Sequence, residues 1–306
     1  MAEPPIFDKL ALIGIGLIGS SIARAAREFG AVREIAALDA SAEVLARVRE
    51  LAIADDASGD YAQALRGADL VVVCAPVGVA GAVAAQIAPF LEPGALVSDV
   101  GSVKGAVIAQ MTPHLPETVH FIPAHPIAGT EFSGPDAGFA TLFRNRWCIL
   151  TPPEDAKAAA LERLSAFWTR IGARVEIMSA EHHDRVLALT SHLPHLIAYN
   201  IVGTADDFGE ETRSEVVKFS ASGFRDFTRI AASDATMWRD IFLANREAVL
   251  DMLGRFNEDL TLLQRMIRTG DGQGLFDFFT RTRAIRRSIV EQGQDTAAPD
   301  FGRGGN

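Results

Sequence analysis

Residues 10–30 read LALIGIGLIGSSIARAAREFG, an apolar run that passes through three glycines into an alanine-rich stretch. The apolar run predicts a buried strand, and the alanine-rich stretch has the spacing of a helix. The glycines fit the pattern GxGxxG, in which the first permits a tight turn, the second lets a pyrophosphate approach the backbone, and the third lets helix and strand pack closely. We therefore predict a dinucleotide site at Gly14, Gly16 and Gly19, with an ordinary strand-to-helix turn as the alternative.

The residues around these glycines indicate which dinucleotide binds. Leu17 and Ile18 open the predicted helix, where backbone amides without intrahelical acceptors attract phosphate. Asp39 ends the next apolar run, about twenty residues past the glycines. A carboxylate there can accept hydrogen bonds from an adenosine ribose and repels a 2′-phosphate, so we expect NAD rather than NADP. The alternative is that Asp39 only caps the helix that begins near Ser41.

The first half of the chain alternates β-branched runs with alanine-rich stretches, which predicts a parallel sheet covered by helices. Ala75 and Pro76 follow one strand at the ligand-binding edge, where Pro76 either shapes the cofactor wall or only ends the strand. The fold class is α/β, with an N-terminal doubly wound Rossmann-type domain over residues 1–178. We predict strands at KLALIG, EIAALD, DLVVVCA, ALVSDV, HFIPAH, WCILTP and RVEIM. Helical spacing extends over Ser20–Phe29, Ala42–Leu51, Val79–Ile87, Lys104–Met111 and Glu154–Ile171.

From about Ser179 onward the strand signals stop and four segments have helical spacing. The third segment is long and apolar on more than one stripe, which is typical of a helix that packs against several partners. We therefore predict a C-terminal all-helical dimerisation domain over residues 179–292 and a homodimer, with a monomeric bundle as the alternative. The polar, glycine-rich tail 293–306 is expected to be disordered. The four segments are SAEHHDRVLALTSHLPHLIAYNIVG, SEVVKFSASGFRDFTRIA, ATMWRDIFLANREAVLDMLGRFNEDLTLLQRMI and GQGLFDFFTRTRAIRRSIVEQ.

The composition limits the class of protein. The chain has 306 residues, of which 48% are hydrophobic and 22% charged, enough to bury the cores of two domains. A formal net charge of −10 argues against nucleic acid or an anionic membrane surface as the main partner, because both require a basic surface. Cys74 and Cys148 lie in apolar runs, which indicates buried thiols in a reducing compartment. No apolar run approaches the ~20 residues of a membrane span and no signal-peptide pattern is present, so we expect a cytoplasmic protein.

Polar side chains follow two of the predicted strands. Ser102 lies past the strand ALVSDV, where a serine either contacts a substrate or caps the next helix. His125 follows an apolar strand and precedes a proline, which keeps its backbone extended and is expected to expose the imidazole. A histidine suits proton abstraction because its unperturbed pKa lies near neutrality, and a hydrogen bond within the loop is the alternative. Glu131, six residues on, either orients or gates the site or is an exposed loop carboxylate.

The helical half offers a pair of histidines. His192 and His195 stand three residues apart and share one helical face. This spacing can hold a metal, but no suitable third ligand lies nearby, because His182 and His183 would have to reach from an earlier turn. We therefore predict no metal and interpret the pair as contacts to a substrate carboxylate or ring, with helix-core packing as the alternative.

Two arginines and a tryptophan follow in GFRDFTRIAASDATMWRD. Arg225 and Arg229 share a helical face if the segment is one continuous helix, and a guanidinium is a natural clamp for a carboxylate. Surface ion pairing is the alternative for both, and it has more weight for Arg225. Arg229 follows an apolar, aromatic stretch that is expected to face a cleft, and Trp238 lies beyond it.

Taken in order, five segments resemble the prephenate/arogenate (cyclohexadienyl) dehydrogenase family, over about residues 9–290. GxGxxG is shared by many dehydrogenases, whereas the other four segments together are specific. The resemblance implies a Rossmann-type domain joined to a helical dimerisation domain with the active site between them, in a short form without a mutase or regulatory domain. The five segments are GIGLIGSS, SDVGSVKG, HPIAGTE, TSHLPH and GFRDFTRIAASDATMWRDIF.

The resemblance also implies roles for individual residues. His125 matches the histidine that accepts the proton of the C4 hydroxyl, and Ser102 matches the serine that holds that hydroxyl and the histidine in register. Arg229 matches the arginine that binds a substrate carboxylate. Arg225 stands where some relatives carry lysine, which puts its role in doubt. Residues that line the substrate pocket match at His192, His195 and Trp238, of which Trp238 can reach across a dimer.

The implied reaction is an NAD-dependent oxidative decarboxylation on the route to tyrosine. Hydride leaves C4, the ring carboxylate leaves as carbon dioxide, and the ring becomes aromatic. Prephenate would give 4-hydroxyphenylpyruvate, and arogenate would give tyrosine. One alternative is a dehydrogenase of the β-hydroxyacid or pyrroline-carboxylate reductase type, whose catalytic residue typically lies on the helical domain. The other is a non-catalytic NAD-sensing regulator, against which the joint presence of Ser102, His125 and Arg229 argues.

Overall fold

The structure, a computed structural model, describes residues 3–130, 132–207, 215 and 218–291. The chain divides into two compact units, Met1–Val249 and Leu250–Asn306. Within the described residues, no helix combines the length and the apolar character needed to cross a bilayer. The domain boundary after residue 178 stays a prediction, and the tail 293–306 lies outside the described residues.

The first unit contains a six-stranded parallel sheet in the order β3-β2-β1-β4-β5-β6. Strand β1 pairs with both β2 and β4, so the strand order reverses there, and such a reversal creates the ligand crevice of a doubly wound sheet. The predicted Rossmann-type domain is confirmed. The strands are β1 (Phe7–Ile13), β2 (Val32–Leu38), β3 (Asp56–Ser58), β4 (Leu70–Val73), β5 (Leu96–Asp99) and β6 (His120–Phe121).

Helices connect these strands, as the alanine-rich stretches predict. The helices are α1 (Leu17–Glu28), α2 (Ala42–Glu50), α3 (Tyr61–Leu65), α4 (Ala80–Ile87) and α5 (Lys104–Met111). The sequence interpretation missed β3 and α3, because three and five residues are too few to show a period. Asp60 caps the N-terminus of α3, since its carboxylate accepts hydrogen bonds from the amides of Ala62 and Gln63.

The predicted strand HFIPAH is divided between two sheets, so the expectation of one continuous strand is wrong. Its first part is β6, whereas its second part forms β7 (Ala124–Pro126) in a three-stranded sheet with β8 (Trp147–Leu150) and β9 (Arg174–Ile177). Strands β7 and β8 are antiparallel, and α6 (Ala158–Arg170) crosses from β8 to the parallel strand β9. Pro123 separates the two parts, because it has no N–H with which to continue the ladder of β6.

The rest of the described chain is helical, as predicted. The interruptions were not predicted: a π-helical turn, Ala188–His192, breaks the first segment, and Asn245 breaks the third. The second segment lies partly outside the described residues. The helices are α7 (Ala180–Leu187), α8 (Leu193–Asp207), α9 (Ser222–Thr228), α10 (Ala235–Ala244), α11 (Arg246–Thr269) and α12 (Gly272–Glu291), and a 3-10 turn spans Arg229–Ala232.

The core of the first unit lies on both faces of the large sheet. Alternate residues of β1 belong to the two sides, because successive side chains of a strand point in opposite directions. Trp238 and Ile241 of α10 join the second cluster, which fixes α10 against the sheet. Of the two thiols, Cys148 is buried and Cys74 is half-buried. One side contains Leu10, Leu12, Ile22, Phe167 and Trp168, and the other contains Ala11, Ile13, Val71, Val97, Trp238 and Ile241.

Candidate active site

The glycine-rich turn between β1 and α1 has the shape that a dinucleotide requires. Gly14 adopts φ +97°, and a Cβ there would lie 2.9 Å from the carbonyl oxygen of Cys74. A Cβ on Gly19 would lie 2.2 Å from the carbonyl oxygen of Gly14, so only glycine lets α1 pack this closely on the strand. A Cβ on Gly16 would meet no atom within 4 Å. Gly16 therefore faces open space beside the first-turn amides of α1, where a pyrophosphate fits.

Asp39 braces this turn instead of capping a helix. Its carboxylate accepts hydrogen bonds from the amide of Ile15 at 2.8 Å and from the amide of Ser41 at 2.9 Å. Ser41 itself caps α2, because its hydroxyl accepts from the amide of Val44. The capping alternative for Asp39 is therefore wrong. A carboxylate held at the end of β2 fits the ribose role predicted for Asp39.

A buried ion pair lies where β5 ends. The ammonium of Lys104 donates to the carboxylate of Asp99 and, at 2.7 Å, to the carbonyl of Ala124. Asp99 also accepts from the amides of Ala124 and Gly101. Burial lowers the pKa of Lys104, while the negative charge of Asp99 opposes that shift. The pair holds β7 at the carboxyl end of the large sheet, and the sequence interpretation did not identify it.

Ser102 lies in the turn between β5 and α5, half-buried. It does not cap α5, because Val103 and not Ser102 occupies the N-cap position. The first amides of α5 instead donate to the carboxylate of Asp184, from Lys104 and Gly105, each at 2.8 Å. The capping alternative for Ser102 is therefore wrong, and the described residues contain no hydrogen bond between Ser102 and His125.

His125 is the central residue of β7, opposite Ile149 of β8. The expectation of an exposed imidazole is wrong, because the residue is only 9% exposed. Its Nδ1 lies 2.8 Å from Nε2 of His183, on the neighbouring helix α7. Burial lowers the pKa of His125 well below its usual value, and the charges of His183, Lys104 and His192 lower it further. The imidazole is thus neutral at neutral pH and keeps Nε2 for a ligand.

His183 and Asp184 stand behind His125, and the sequence interpretation missed this role for both. Nδ1 of His183 lies 2.8 Å from Oδ1 of Asp184, and the His183 side chain is fully buried. Burial lowers the pKa of His183, opposed by the hydrogen bond and the charge of Asp184. The sequence contains HHD at residues 182–184, shortly before TSHLPH. Only the fold brings His183 next to His125, which lies 58 positions earlier.

His192 ends the π-helical turn and is fully buried. Its Nδ1 lies 3.1 Å from the side-chain nitrogen of Asn245, which also donates to the backbone carbonyl of Asp184 at 2.8 Å. The Nε2 atom of His192 has no partner among the described residues. Burial lowers the pKa of His192 to about 4, so the ring is neutral. Asn245 is a further residue of this cluster that the sequence interpretation missed.

His195 and Trp238 form a stacked pair with 3.7 Å between ring centroids. Nδ1 of His195 lies 2.8 Å from the carbonyl of Ser191. Burial lowers the pKa of His195, and the positive charge of Arg229 lowers it further. Trp238 also lies 6.0 Å from the ring of His192. The indole is thus packed within its own chain, beside both predicted histidines.

The remaining predicted residues are Arg225, Arg229, Glu131 and Pro76. Arg225 is exposed on α9, whereas Arg229 begins the 3-10 turn that follows α9, so the two do not share one continuous α-helix. Glu131 lies outside the described residues. Pro76 precedes a 3-10 turn, Val77–Val79, after β4. Across the described ranges, no three His, Cys, Asp or Glu side chains are grouped to hold a metal ion.

A dinucleotide turn and a buried neutral imidazole at the same end of one doubly wound sheet define a dinucleotide-dependent dehydrogenase. Two family profiles match the chain: "Prephenate dehydrogenase, nucleotide-binding domain" over residues 22–177, and "Prephenate dehydrogenase, dimerization domain" over residues 179–281. The chain belongs to the prephenate dehydrogenase family.

Individual relatives agree with this membership. A cyclohexadienyl dehydrogenase of Zymomonas mobilis is 43% identical over 284 residues, which cover 93% of this chain and 97% of the relative. A crystal structure of prephenate dehydrogenase from A. aeolicus, in complex with hydroxyphenyl propionate and NAD+, has a TM-score of 0.86 and 32% identity, covering 92% of this chain and 98% of that one. Synechocystis arogenate dehydrogenase has a TM-score of 0.78 and 26% identity, covering 92% and 99%. The predicted family and the predicted class, an NAD-dependent oxidoreductase, are confirmed.

Proposed function

We propose that this chain catalyses the NAD-dependent oxidative decarboxylation of a cyclohexadienyl acid, prephenate or arogenate, in tyrosine synthesis. Prephenate gives 4-hydroxyphenylpyruvate, and arogenate gives tyrosine. The observation that carries the proposal is the buried, neutral His125, tied through Lys104 and Asp99 to the end of the sheet that bears the glycine-rich turn. Names of relatives, including the cyclohexadienyl and arogenate dehydrogenases, support the substrate class.

In the proposed reaction, Nε2 of His125 takes the proton of the C4 hydroxyl and later returns it to the phenolate oxygen. Bound NAD supplies the hydride acceptor at the nicotinamide. The ring carboxylate leaves as carbon dioxide, and its bonding electrons complete the aromatic ring as the hydride leaves C4. Aromatisation supplies the driving force, so the protein mainly orients the hydroxyl and the carboxylates and holds a neutral base.

Other side chains bind and orient the substrate in this proposal. Ser102 holds the C4 hydroxyl in register with His125, and Arg229 binds a carboxylate through a two-pronged contact. The stacked pair of His195 and Trp238 contacts the substrate beside Arg229, whose charge acts on His195. His192, Arg225 and Glu131 complete the predicted substrate residues, and Gly14, Gly16, Leu17, Ile18, Gly19, Asp39, Ala75 and Pro76 complete the cofactor residues.

We propose that the active protein is a cytoplasmic homodimer. The dimerization-domain profile and the exposed apolar side chains of α11 and α12 support the dimer. Two free thiols support a reducing compartment.

Replacement of His125 tests the function. With prephenate and NAD, the parent protein should form NADH, and His125→Asn should lower kcat about a thousandfold because the proton acceptor is lost. NAD affinity, measured by calorimetry, should not change. His114→Asn, at an exposed histidine, is the matched control and should keep the parent rate. A parent protein inactive on both prephenate and arogenate would contradict the proposal, as would a folded, NAD-binding His125→Asn protein with the parent kcat.

A further inference from the structure

One hydrogen-bonded network links two buried histidines of the site, His125 and His192, each through its Nδ1 atom. It contains His125, His183, Asp184, Asn245 and His192, and we call it the Asp184 network. One arm runs from the side chain of Asp184 through His183 to His125. The other arm runs from the backbone carbonyl of Asp184 through Asn245 to His192. Because carboxylates and carbonyls only accept hydrogen bonds, this one residue fixes where the protons lie along both arms.

The first arm starts at the carboxylate of Asp184. It accepts from two amides at the start of α5, one at each oxygen, so both oxygens act as hydrogen-bond acceptors. Nδ1 of His183, 2.8 Å away, must therefore carry the proton. A neutral His183 then has its lone pair on Nε2, so Nδ1 of His125 must donate to it across 2.8 Å. The lone pair of His125 consequently lies on Nε2, the atom left for a ligand.

The second arm starts at the backbone carbonyl of Asp184. The Asn245 atom that faces this carbonyl must be the NH₂ group, which settles the orientation of the amide. The same NH₂ lies 3.1 Å from Nδ1 of His192, so that ring nitrogen accepts. The proton of a neutral His192 therefore lies on Nε2, which is buried and has no partner among the described residues. His192 thus offers an N–H donor.

We propose that Asp184 and Asn245 are positioning residues that hold His125 and His192 in opposite tautomers, one presenting a lone pair and the other an N–H. His183 transmits the constraint from Asp184 to His125. The proposal rests on the proposed function and deepens it: the lone pair receives the hydroxyl proton, and the N–H of His192 recognises an oxygen acceptor of the substrate. Neither residue touches the reacting atoms, so both act through the histidines.

The first arm also helps His125 to carry a positive charge. When His125 takes a proton at Nε2, its Nδ1 proton lies in a hydrogen bond to His183, whose own N–H faces a carboxylate. Asp184 therefore stabilises the imidazolium through His183, against the burial and the nearby ammonium of Lys104 that disfavour it. The groups whose charges act on His125 are His183 from α7, Lys104 from α5 and His192 from the π-helical turn, and the thiol of Cys148 on β8 contacts the backbone of His125.

Nuclear magnetic resonance of ¹⁵N-histidine-labelled parent protein tests the tautomers directly, because protonated and unprotonated ring nitrogens have well-separated shifts. The chain has seven histidines, so single His→Asn variants assign the signals. We expect the proton on Nδ1 of His125 and on Nε2 of His192. The reverse tautomer at either ring would overturn the proposal whatever the catalytic activity, which separates its failure from failure of the proposed function.

Kinetics of substituted proteins test the consequence. In the parent protein, Oδ1 of Asp184 accepts from Lys104 N–H and faces Nδ1 of His183, whereas Oδ2 accepts from Gly105 N–H. Asp184→Asn keeps only one acceptor oxygen and removes the negative charge behind His183, so the first arm loses both an acceptor and the charge that stabilises the imidazolium of His125. We expect kcat to fall about 10²–10⁴-fold with NAD affinity unchanged. Asp155→Asn, at an exposed aspartate, is the matched control and should keep the parent kcat. A parent kcat in Asp184→Asn would overturn the proposal.

Paired substitutions separate a tautomer effect from loss of packing. His183→Gln places an acceptor oxygen near the position of Nε2 and should keep at least about tenfold more kcat than His183→Leu, which cannot accept. Asn245→Asp should move the His192 proton to Nδ1 and raise KM, whereas Asn200→Asp on the exposed face of α8 should not. Equal kcat values in the two His183 variants, or an unchanged His192 tautomer in Asn245→Asp, would overturn the proposal.

Discussion

In the proposed reaction, buried imidazoles act on the substrate, and burial lowers their pKa values. Burial and three neighbouring groups, His183, Lys104 and His192, lower the pKa of His125 well below 6.5. A base acts only when it is unprotonated, and kcat/KM reports the ionisation of the free enzyme. Activity should therefore be full at neutral pH and fall only as the pH drops through the lowered pKa. We predict that the acid limb of kcat/KM against pH has its midpoint below pH 6.5.

Two other histidines provide the control for this limb. His195→Asn should have lower activity but keep the limb at the same pH, because the titrating base is still present. His192→Gln should also keep the limb but move its midpoint upward, because the charge of His192 that lowers the pKa of His125 is removed. A midpoint at or above pH 6.5 in the parent, or a limb that disappears with His192 or His195, would show that another group is the base.

The ion pair of Lys104 and Asp99 is a second feature that acts at the scale of single residues. Breaking a buried pair leaves an uncompensated charge, which typically costs about 3–5 kcal/mol. We predict that Lys104→Met lowers the free energy of unfolding by roughly that amount, measured by urea denaturation. The double variant Lys104→Met/Asp99→Asn should be more stable than Lys104→Met alone, because it removes the stranded carboxylate. A double variant no more stable than the single one would contradict this explanation.

The sequence revealed residues whose role depends on local pattern and missed those that depend on distant contacts. Gly14 and His125 stand at the ends of strands that the sequence predicts. His183 and Asn245 do not, because their partners lie 58 and 53 positions away. The sequence shows Lys104 only as the start of a helix, because nothing in its neighbourhood indicates that β7 will cover its ammonium. His125 is buried and not exposed for a similar reason, because a distant residue, His183 of α7, packs against its ring.

At the scale of elements, two glycines of the turn between β1 and α1 have different roles. Gly19 lets α1 pack on β1, whereas Gly16 leaves room for the cofactor. A Cβ on Gly19 would lie 2.2 Å from a backbone oxygen, so Gly19→Ala must push α1 away from β1. A Cβ on Gly16 meets no protein atom, so Gly16→Ala blocks only a ligand. We predict a loss of roughly 2–3 kcal/mol in the cofactor-free unfolding free energy for Gly19→Ala and less than about 1 kcal/mol for Gly16→Ala.

The same two substitutions, Gly16→Ala and Gly19→Ala, also separate loss of NAD affinity from loss of stability. Gly16→Ala should weaken NAD binding at least about tenfold, measured by calorimetry, because the added methyl occupies the path of the pyrophosphate. Each variant serves as the control for the other. Similar losses of stability in both, or unchanged NAD affinity in Gly16→Ala, would mean that the turn does not cradle the dinucleotide.

Two elements show why sequence patterns alone give incomplete boundaries. The third helical segment has continuous apolar spacing with no proline or glycine near Asn245, so it predicts one helix. The structure breaks it there, with Asn245 at φ −105° and ψ 31° and its side chain bonded to Asp184 and His192. An asparagine can exchange helical bonds for side-chain bonds only when a partner element offers them. The π-helical turn before His192 is similarly invisible in the sequence, and such turns often occur at functional sites.

At the scale of the whole molecule, the long helices carry apolar side chains that the single chain does not bury. Val249 is the only buried residue of α11, and no described side chain of α12 is buried. A soluble monomer rarely exposes so many large apolar groups in succession. All of these positions except Ile285 fall within the dimerization-domain profile. These side chains are Leu250, Leu260, Leu262, Ile267, Phe276, Phe279 and Ile285.

We predict that the protein in solution has twice the 32.8 kDa mass of one chain, measured by light scattering after gel filtration. Phe276 and Phe279 are 65% and 56% exposed, so their substitution removes apolar contacts with a partner and little packing within the chain. Phe276→Glu/Phe279→Glu should therefore shift the mass towards one chain, because burying two carboxylates in an apolar interface is costly. Arg33→Glu, exposed on β2, changes the net charge by the same amount and should leave the dimer intact. A parent protein with the mass of one chain, or a double variant that remains a dimer, would contradict an interface formed by these side chains.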